Sequence, residues 1–218
     1  MHAHLAIEHD FPLKSLNTFG IDAKARRYLR VNGPADLAAV FKDPVLAALP
    51  RLLLGGGSNV LLTRDFDGLV LHMTGAGKTI VGETETHVLV RGAAGENWHG
   101  FVQYTLEQGL GGLENMSLIP GTLGAAPIQN IGAYGAEIKD VFHSLTAFDP
   151  ASGDCSAGTS GDAPWMPGDG MTGSAADRVA FGGSDRWVVG RSGCFLDDGT
   201  ANVRLTCGST YIGIVGRN

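Results

Sequence analysis

Gly55-Gly56-Gly57-Ser58-Asn59 is the first stretch of this chain whose residue types could do chemistry. It follows the apolar run Arg51-Leu52-Leu53-Leu54 directly, and Val60-Leu61-Leu62 opens another. Three successive residues without side chains let backbone N–H groups approach a phosphate closely, and Ser58 and Asn59 can donate further hydrogen bonds. Two readings stay open on residue type and spacing: a pyrophosphate cradle, or a tight glycine turn between strands. The dinucleotide fingerprint does not fit, because after Gly55 and Gly57 its third glycine position holds Val60 and no long helix is expected to follow. Gly75-Ala76-Gly77-Lys78-Thr79 is not a nucleotide-triphosphate loop either, since His72 stands where that motif needs its first glycine; it reads as a turn with an exposed lysine.

A second candidate runs from Ile119 to Gly135, IPGTLGAAPIQNIGAYG. Small residues at Gly121, Gly124, Ala125, Ala126, Gly132, Ala133 and Gly135 leave backbone amides uncovered along an extended groove, with Thr122, Gln129, Asn130 and Tyr134 as directional polar groups. Such a wall suits a flat, elongated ligand; a Gly/Ala loop packed on a sheet is the alternative. Tyr134, in this glycine-rich setting, either faces a ligand or packs. His72, His87, His99 and His143 stand isolated in sequence and read as structural.

The elements that must position these loops punctuate clearly. Pro34 opens a helix, PADLAAVFK, in the favoured first-turn position, with Leu37, Val40 and Phe41 on one face. RLLL, VLL, GLVLHM and HVLVRGAA read as strands. From Glu96 the period changes: Trp98, Phe101, Val102, Thr105 and Leu106 share a helical face, and Gly109 sits where a left-handed cap belongs. Strands mixed with helices at this spacing predict an α+β or α/β domain, with α+β taken as the fold class.

Composition narrows the function. With 44% hydrophobic and 17% charged residues, 218 residues suffice for one large domain or two small ones. A net charge of −6, with scattered Lys and Arg, argues against nucleic acid or an anionic membrane as partner. No apolar run reaches the roughly 18 residues of a membrane span, and the start MHAHLAIEHDFPLK has no signal-peptide pattern, so the cytoplasm is the expected compartment. A monomer is also expected. Three cysteines, Cys155, Cys194 and Cys207, without a C-x-x-C pair indicate neither a disulfide framework nor a metal site.

Five segments in order carry a more specific resemblance: NTFGID (17–22), LGGGSNVL (54–61), GAAGENWH (92–99), GLENMSLIPG (112–121) and PIQNIGAYGAE (127–137). Together they resemble the FAD-binding domain of the UDP-N-acetylenolpyruvoylglucosamine reductases, from about Leu13 to Pro150. The resemblance implies a flavoprotein fold of the vanillyl-alcohol-oxidase type, a small α/β lobe to about residue 75 followed by a larger mixed lobe, with FAD between them. By position, Gly55, Gly56, Gly57, Ser58, Asn59 and Val60 would wrap the pyrophosphate. Ile119, Pro120, Gly121, Thr122, Gly124, Ala125, Ala126, Gln129, Ile131 and Gly132 would line the flavin and its linker, and Tyr134 is the substrate-side candidate. Members of that family take a hydride from NADPH and reduce the enolpyruvyl group of a nucleotide sugar, giving UDP-N-acetylmuramate for peptidoglycan.

The last third departs from this pattern. All five lysines lie at or before Lys139 and all seven glutamates at or before Glu137, whereas all cysteines lie at or after Cys155. The family's C-R-F-G-Y-R-D-S, serine and C-terminal glutamate motifs have no counterpart; Arg191-Ser192-Gly193-Cys194-Phe195 only echoes the serine motif. No catalytic residue is therefore assigned, and no substrate domain is recognised. The expected division is a lead over 1–12, a flavin domain over 13–154 and a glycine-rich tail over 155–218. Within the tail, 155–178 reads as loop or disorder and Arg186–Leu196 and Thr200–Val215 as strand-like. A reading-frame change near Asp154 would explain so abrupt a seam; a diverged segment is the rival explanation.

Overall fold

The computed structural model describes residues 5–128, 130–150, 152–153, 155–159 and 205–215. Gln129, the stretch Arg186–Leu196 and residues 191–195 of the serine-motif echo lie outside the described residues.

The first lobe begins with β1 (Glu8–Pro12) and β2 (Lys24–Val31), then α1 (Pro34–Lys42), α2 (Pro44–Ala47), β3 (Arg51–Leu54) and β4 (Phe66–Met73). Its sheet has the order β1-β2-β4-β3, with β2, β4 and β3 mutually parallel and β1 antiparallel on the edge. Side chains alternate across a strand, so one sheet can serve two cores. Leu29 and Val31 of β2 and Leu69 and Leu71 of β4 pack under α1 against Leu37 and Val40. Tyr28 and Val70 point the other way, to Leu13, Leu52, Leu54 and Leu62. Pro34 begins α1, and Asp36 reaches back to the Asn32 and Gly33 amides, which accounts for the start of the helix. Val60-Leu61-Leu62, expected as a strand, is part of the loop between β3 and β4; Leu62 is buried from that loop while Leu61 faces outward.

The second lobe comprises β5 (Lys78–Glu83), β6 (His87–Ala93), α3 (Trp98–Glu107), the two-residue strands β7 (Gly132–Ala133) and β8 (Ala136–Glu137), β9 (Phe142–Phe148), β10 (Cys155–Thr159) and β11 (Leu205–Val215). Five of these form an antiparallel sheet in the order β10-β9-β11-β6-β5. The expected loop over 155–178 thus begins as a strand. The edge of β9 offers unpaired backbone groups, and pairing satisfies them whatever the side-chain pattern.

Helix α3 closes this sheet. The Asn97 side chain accepts from the Gly100 N–H at 2.9 Å and caps its start, and Gly109 at φ 70° ends it. Trp98, Phe101 and Val102 are fully buried, each side chain contributing on the order of 2 kcal/mol of apolar burial. The Trp98 indole N–H is satisfied by the Met116 carbonyl at 2.7 Å. Leu106, expected on this face, is 45% exposed. At 100° per residue it lies about 80° round from Trp98, on the margin of the apolar stripe. The lobes meet where Phe148, at the end of β9, enters the α1 core, its ring 5.5 Å from that of Phe41.

Candidate functional site

The loop Gly55–Asn59 leaves the carboxyl end of β3, the edge strand of the parallel run β2-β4-β3. Crevices at the carboxyl ends of parallel strands are where α/β sheets hold ligands, because the strands stop there and the loops diverge. A Cβ on Gly57 would stand 1.9 Å from the Leu16 carbonyl oxygen, and its φ is 65°, so only glycine fits without displacing backbone. The Gly57 carbonyl accepts from both the N–H and the hydroxyl of Thr18, at 3.1 and 3.0 Å. Thr18 is held in turn by Asn17, whose buried amide bonds the Leu13 and Ile21 carbonyls and accepts from the Ile21 N–H. The segment NTFGID is therefore the clamp beneath the glycine loop, a role its spacing alone did not disclose.

Opposite stands the loop 117–126. A Cβ on Gly56 would come within 3.2 Å of Gly121 Cα, and one on Gly55 within 2.8 Å of Thr122 Oγ1. Gly121 itself has φ 123° and faces Ser58 Oγ. The two sequence candidates are thus two touching walls. Among the described residues, the N–H groups of Gly56, Gly57, Ser58 and Asn59 have no protein acceptor, and neither Ser58 nor Asn59 uses its side chain in a hydrogen bond. Val60 is half-buried beside them and packs on the Leu62 core.

The second wall is built differently. Most of the amides expected to be uncovered are engaged: Leu123 N–H donates to Glu96, Gly124 to Ala94, Ala125 and Ala126 to Thr122, and Ile131 to Ala126, while those of Gly121 and Thr122, facing the glycine loop, find no protein acceptor. Gly124 and Ala126 are buried, Ala126 within the α3 core, while Ile119, Ala125 and Ile131 are half-buried and Pro120 and Gly132 are exposed. The reason is local: Trp98 donates to the Gly121 carbonyl and Asn97 bridges to Thr122, tying this wall to the start of α3 as an extra pairing segment. Among its described side chains this wall also leaves one buried acceptor open, Asn130 Oδ1, which has no partner. Its own amide nitrogen donates to Glu137 Oε2 at 3.1 Å. Lys139 and then Asn130 hold the Glu137 carboxyl below the usual carboxylate range.

Tyr134 is 91% exposed at φ 52°, first central residue of the tight turn between β7 and β8, with Gly135 at φ 83° after it. Packing is excluded for its ring. His99, read as isolated, supports the second wall: its Nδ1 accepts from Ser117 Oγ at 3.0 Å and from the Leu118 N–H at 3.3 Å, where Leu118 stands 76% exposed at φ 64°. Lys78 is not the exposed lysine expected; it begins β5 and pairs with Glu96 at 3.2 Å. Among the described residues no group of His, Cys, Asp and Glu could hold a metal ion, and no helix is long and apolar enough to cross a membrane.

These walls fit a dinucleotide-type cofactor: free amides and two polar side chains on one side, a lone buried acceptor and backbone surface on the other. The family model for the FAD binding domain matches residues 25–156. A curated relative, the UDP-N-acetylenolpyruvoylglucosamine reductase of Paraburkholderia phymatum, is 57% identical over 144 residues, 66% of this chain and 42% of the relative. The chain thus spans less than half the length of such relatives. Among solved structures, UDP-N-acetylenolpyruvylglucosamine reductase from Thermus caldophilus superposes with a TM-score of 0.66 at 19% identity, over 99% of this chain and 64% of that one. The vanillyl-alcohol-oxidase-type flavoprotein of Myceliophthora thermophila gives 0.53 at 14% identity, over 89% and 32%. At these identities the structures show a shared α+β fold. The family match itself spans well over half of the sequence, and the chain belongs to the FAD-binding domain family.

Proposed function

We propose that the chain holds FAD between its two walls and is the flavin-binding part of a reductase that converts UDP-N-acetylglucosamine enolpyruvate to UDP-N-acetylmuramate with NADPH, in peptidoglycan synthesis. The observation that carries the reading is the row of acceptor-free N–H groups from Gly56 to Asn59, standing against Gly121 at backbone contact distance. Four consecutive acceptor-free donors suit a pyrophosphate group, and Ser58 and Asn59 add neutral donors without bringing cations. Bound FAD would supply a two-electron carrier; the protein's own part is to position and shield it. Ile119, Ala125, Ile131 and Gly132 are offered as the surface beside the flavin linker, with Asn130 Oδ1 as an acceptor for a donor on the cofactor. Tyr134, free of packing, is offered as the residue that meets the nucleotide sugar. The similarity to the curated reductases supports the choice of reaction.

The same chain lacks the family's R-F-G-Y-R-D-S arginine, serine and glutamate motifs, so a flavin-holding module without turnover is the reading for these 218 residues by themselves. A cytoplasmic monomer follows from the same reading. Titration of FAD into the purified chain, followed by flavin fluorescence and visible absorption, tests the first claim: uptake with quenching is expected, and a colourless protein that gains no flavin overturns it. NADPH oxidation dependent on the enolpyruvyl substrate is expected to be undetectable, and its detection would overturn the second.

A further inference from the structure

The start of α3 ties down the second wall from Met116 to Thr122. Asn97 and Thr122 form an isolated β-bridge, closed on one side by the Trp98 N–H, which donates to the Gly121 carbonyl at 3.1 Å. The Trp98 indole holds the other end through the Met116 carbonyl at 2.7 Å. The remaining tie is His99, the second residue of the helix, whose Nδ1 lies 3.0 Å from Ser117 Oγ and 3.3 Å from the Leu118 nitrogen. Between His99's two partners and Gly121 runs a short span, Ile119-Pro120.

The bond to Leu118 fixes the hydrogen on the imidazole. A peptide N–H only donates, so Nδ1 carries no hydrogen, the Ser117 hydroxyl donates to the same nitrogen, and the ring's own N–H is on Nε2. One acceptor thus holds two consecutive residues. The second of them, Leu118, has left-handed backbone at φ 64°, which a residue with a Cβ adopts only under constraint. Its side chain is 76% exposed, so packing does not impose that conformation. The constraint acts on the backbone, where the Leu118 N–H meets His99.

The backbone at Leu118 sets the direction in which the chain leaves for Gly121. Pro120 has its own φ locked by the ring, so the span has little freedom to correct a turn that relaxes. Its far end has little tolerance: a Cβ on Gly56 would already stand 3.2 Å from Gly121 Cα, and the N–H groups of Gly121 and Thr122 are without a protein acceptor. We propose that His99 is a positioning residue for the cofactor site, latching Ser117 and Leu118 at Nδ1 so that the span to Gly121 is held at the separation from the glycine loop that FAD requires. The proposal rests on the reading of the two walls as the FAD site. The imidazole acts through the two residues it holds.

FAD titrations on the whole chain, with a melting curve for each variant, separate this role from simple packing. His99→Asn carries an amide oxygen close to the Nδ1 position and is expected to bind FAD within about threefold of the unaltered chain. His99→Gln carries its amide out near the Nε2 position and His99→Leu has no acceptor; both are expected to weaken FAD about tenfold, the scale of a lost hydrogen bond. Glycine takes left-handed backbone freely, so in a Leu118→Gly background His99→Leu is expected to weaken FAD by no more than about threefold. Full affinity in His99→Leu, or equal weakness in the Asn and Leu variants at matched melting temperatures, overturns the proposal and leaves the FAD reading standing. A loss that persists undiminished in the Leu118→Gly background overturns it as well. If His99→Leu does not fold, the Gln variant takes its place: tighter binding by Asn than by Gln upholds the latch, and equal binding or the reverse order overturns it. An unmodified chain that binds no FAD overturns the functional reading first, and this inference with it.

Discussion

The two walls of the site are both rich in small residues, yet they are small for different reasons. In the first wall the glycines are places where backbone meets backbone: Gly57 against Leu16, Gly56 against Gly121. Its N–H groups are left over. In the second wall the small residues let a loop lie down on α3 and β6, and its amides from Leu123 to Ala126 are consumed in doing so. Glycine content alone therefore does not identify a ligand-binding loop. What distinguishes the two is which N–H groups remain without an acceptor once the chain has folded.

Substitutions can break that contrast. The largest effect is expected at Gly57, where alanine combines a left-handed backbone with a Cβ inside contact distance of the Leu16 carbonyl. Gly57→Ala should cost at least about 3 kcal/mol in urea denaturation and abolish flavin uptake. At Gly124 an added Cβ would stand 2.6 Å from Ala94 Cβ and 2.9 Å from its Cα and O. Gly124→Ala should cost roughly 1–3 kcal/mol by overpacking, and Ala94→Gly should return only part of it because the backbone atoms remain. A result in which Ala94→Gly restores everything would mean the loop can shift, contrary to its bonded state.

Gly55→Ala meets only the end of the Thr122 side chain, so its effect should depend on that residue. Combined with Thr122→Ala, a coupling of about 1 kcal/mol is expected in a double-mutant cycle; no coupling would separate the walls. A smaller effect should follow pH. Because the folded state holds His72 below its ordinary value, the stability this contributes is present above the unfolded value and is lost as pH falls through the folded one. The melting temperature should decline over that range, and less so in His72→Gln. The smallest effect is expected at Tyr134, which is exposed and packs on nothing: Tyr134→Gly should leave stability within about 0.5 kcal/mol and relieve its positive φ.

Local pattern was enough for much of the scaffold. The Pro34 start of α1, the Gly109 end of α3 and the strands RLLL, GLVLHM and HVLVRGAA were all readable from caps and periodicity. Where it failed, a tertiary contact decided. Val60-Leu61-Leu62 has the residue types of a strand but runs as the loop from β3 to β4, turning Leu62 into the core around Leu13 and Leu54 while Leu61 faces outward. Cys155–Thr159 has the composition of a loop and pairs because the β9 edge is open. His72 and His99 looked isolated because their partners are distant in sequence: Tyr28 lies 44 residues from His72, and Ser117 18 residues from His99.

For this chain the sequence alone determined the family and the location of both walls, because glycines, caps and ordered motifs are local signals. Tertiary structure decided how many of each wall's amides stay free, that His99 supports the second wall, and what the segment NTFGID is for. Each of those depends on a hydrogen bond whose two ends the sequence does not place together, and a backbone donor carries no mark of its partner until the fold supplies one.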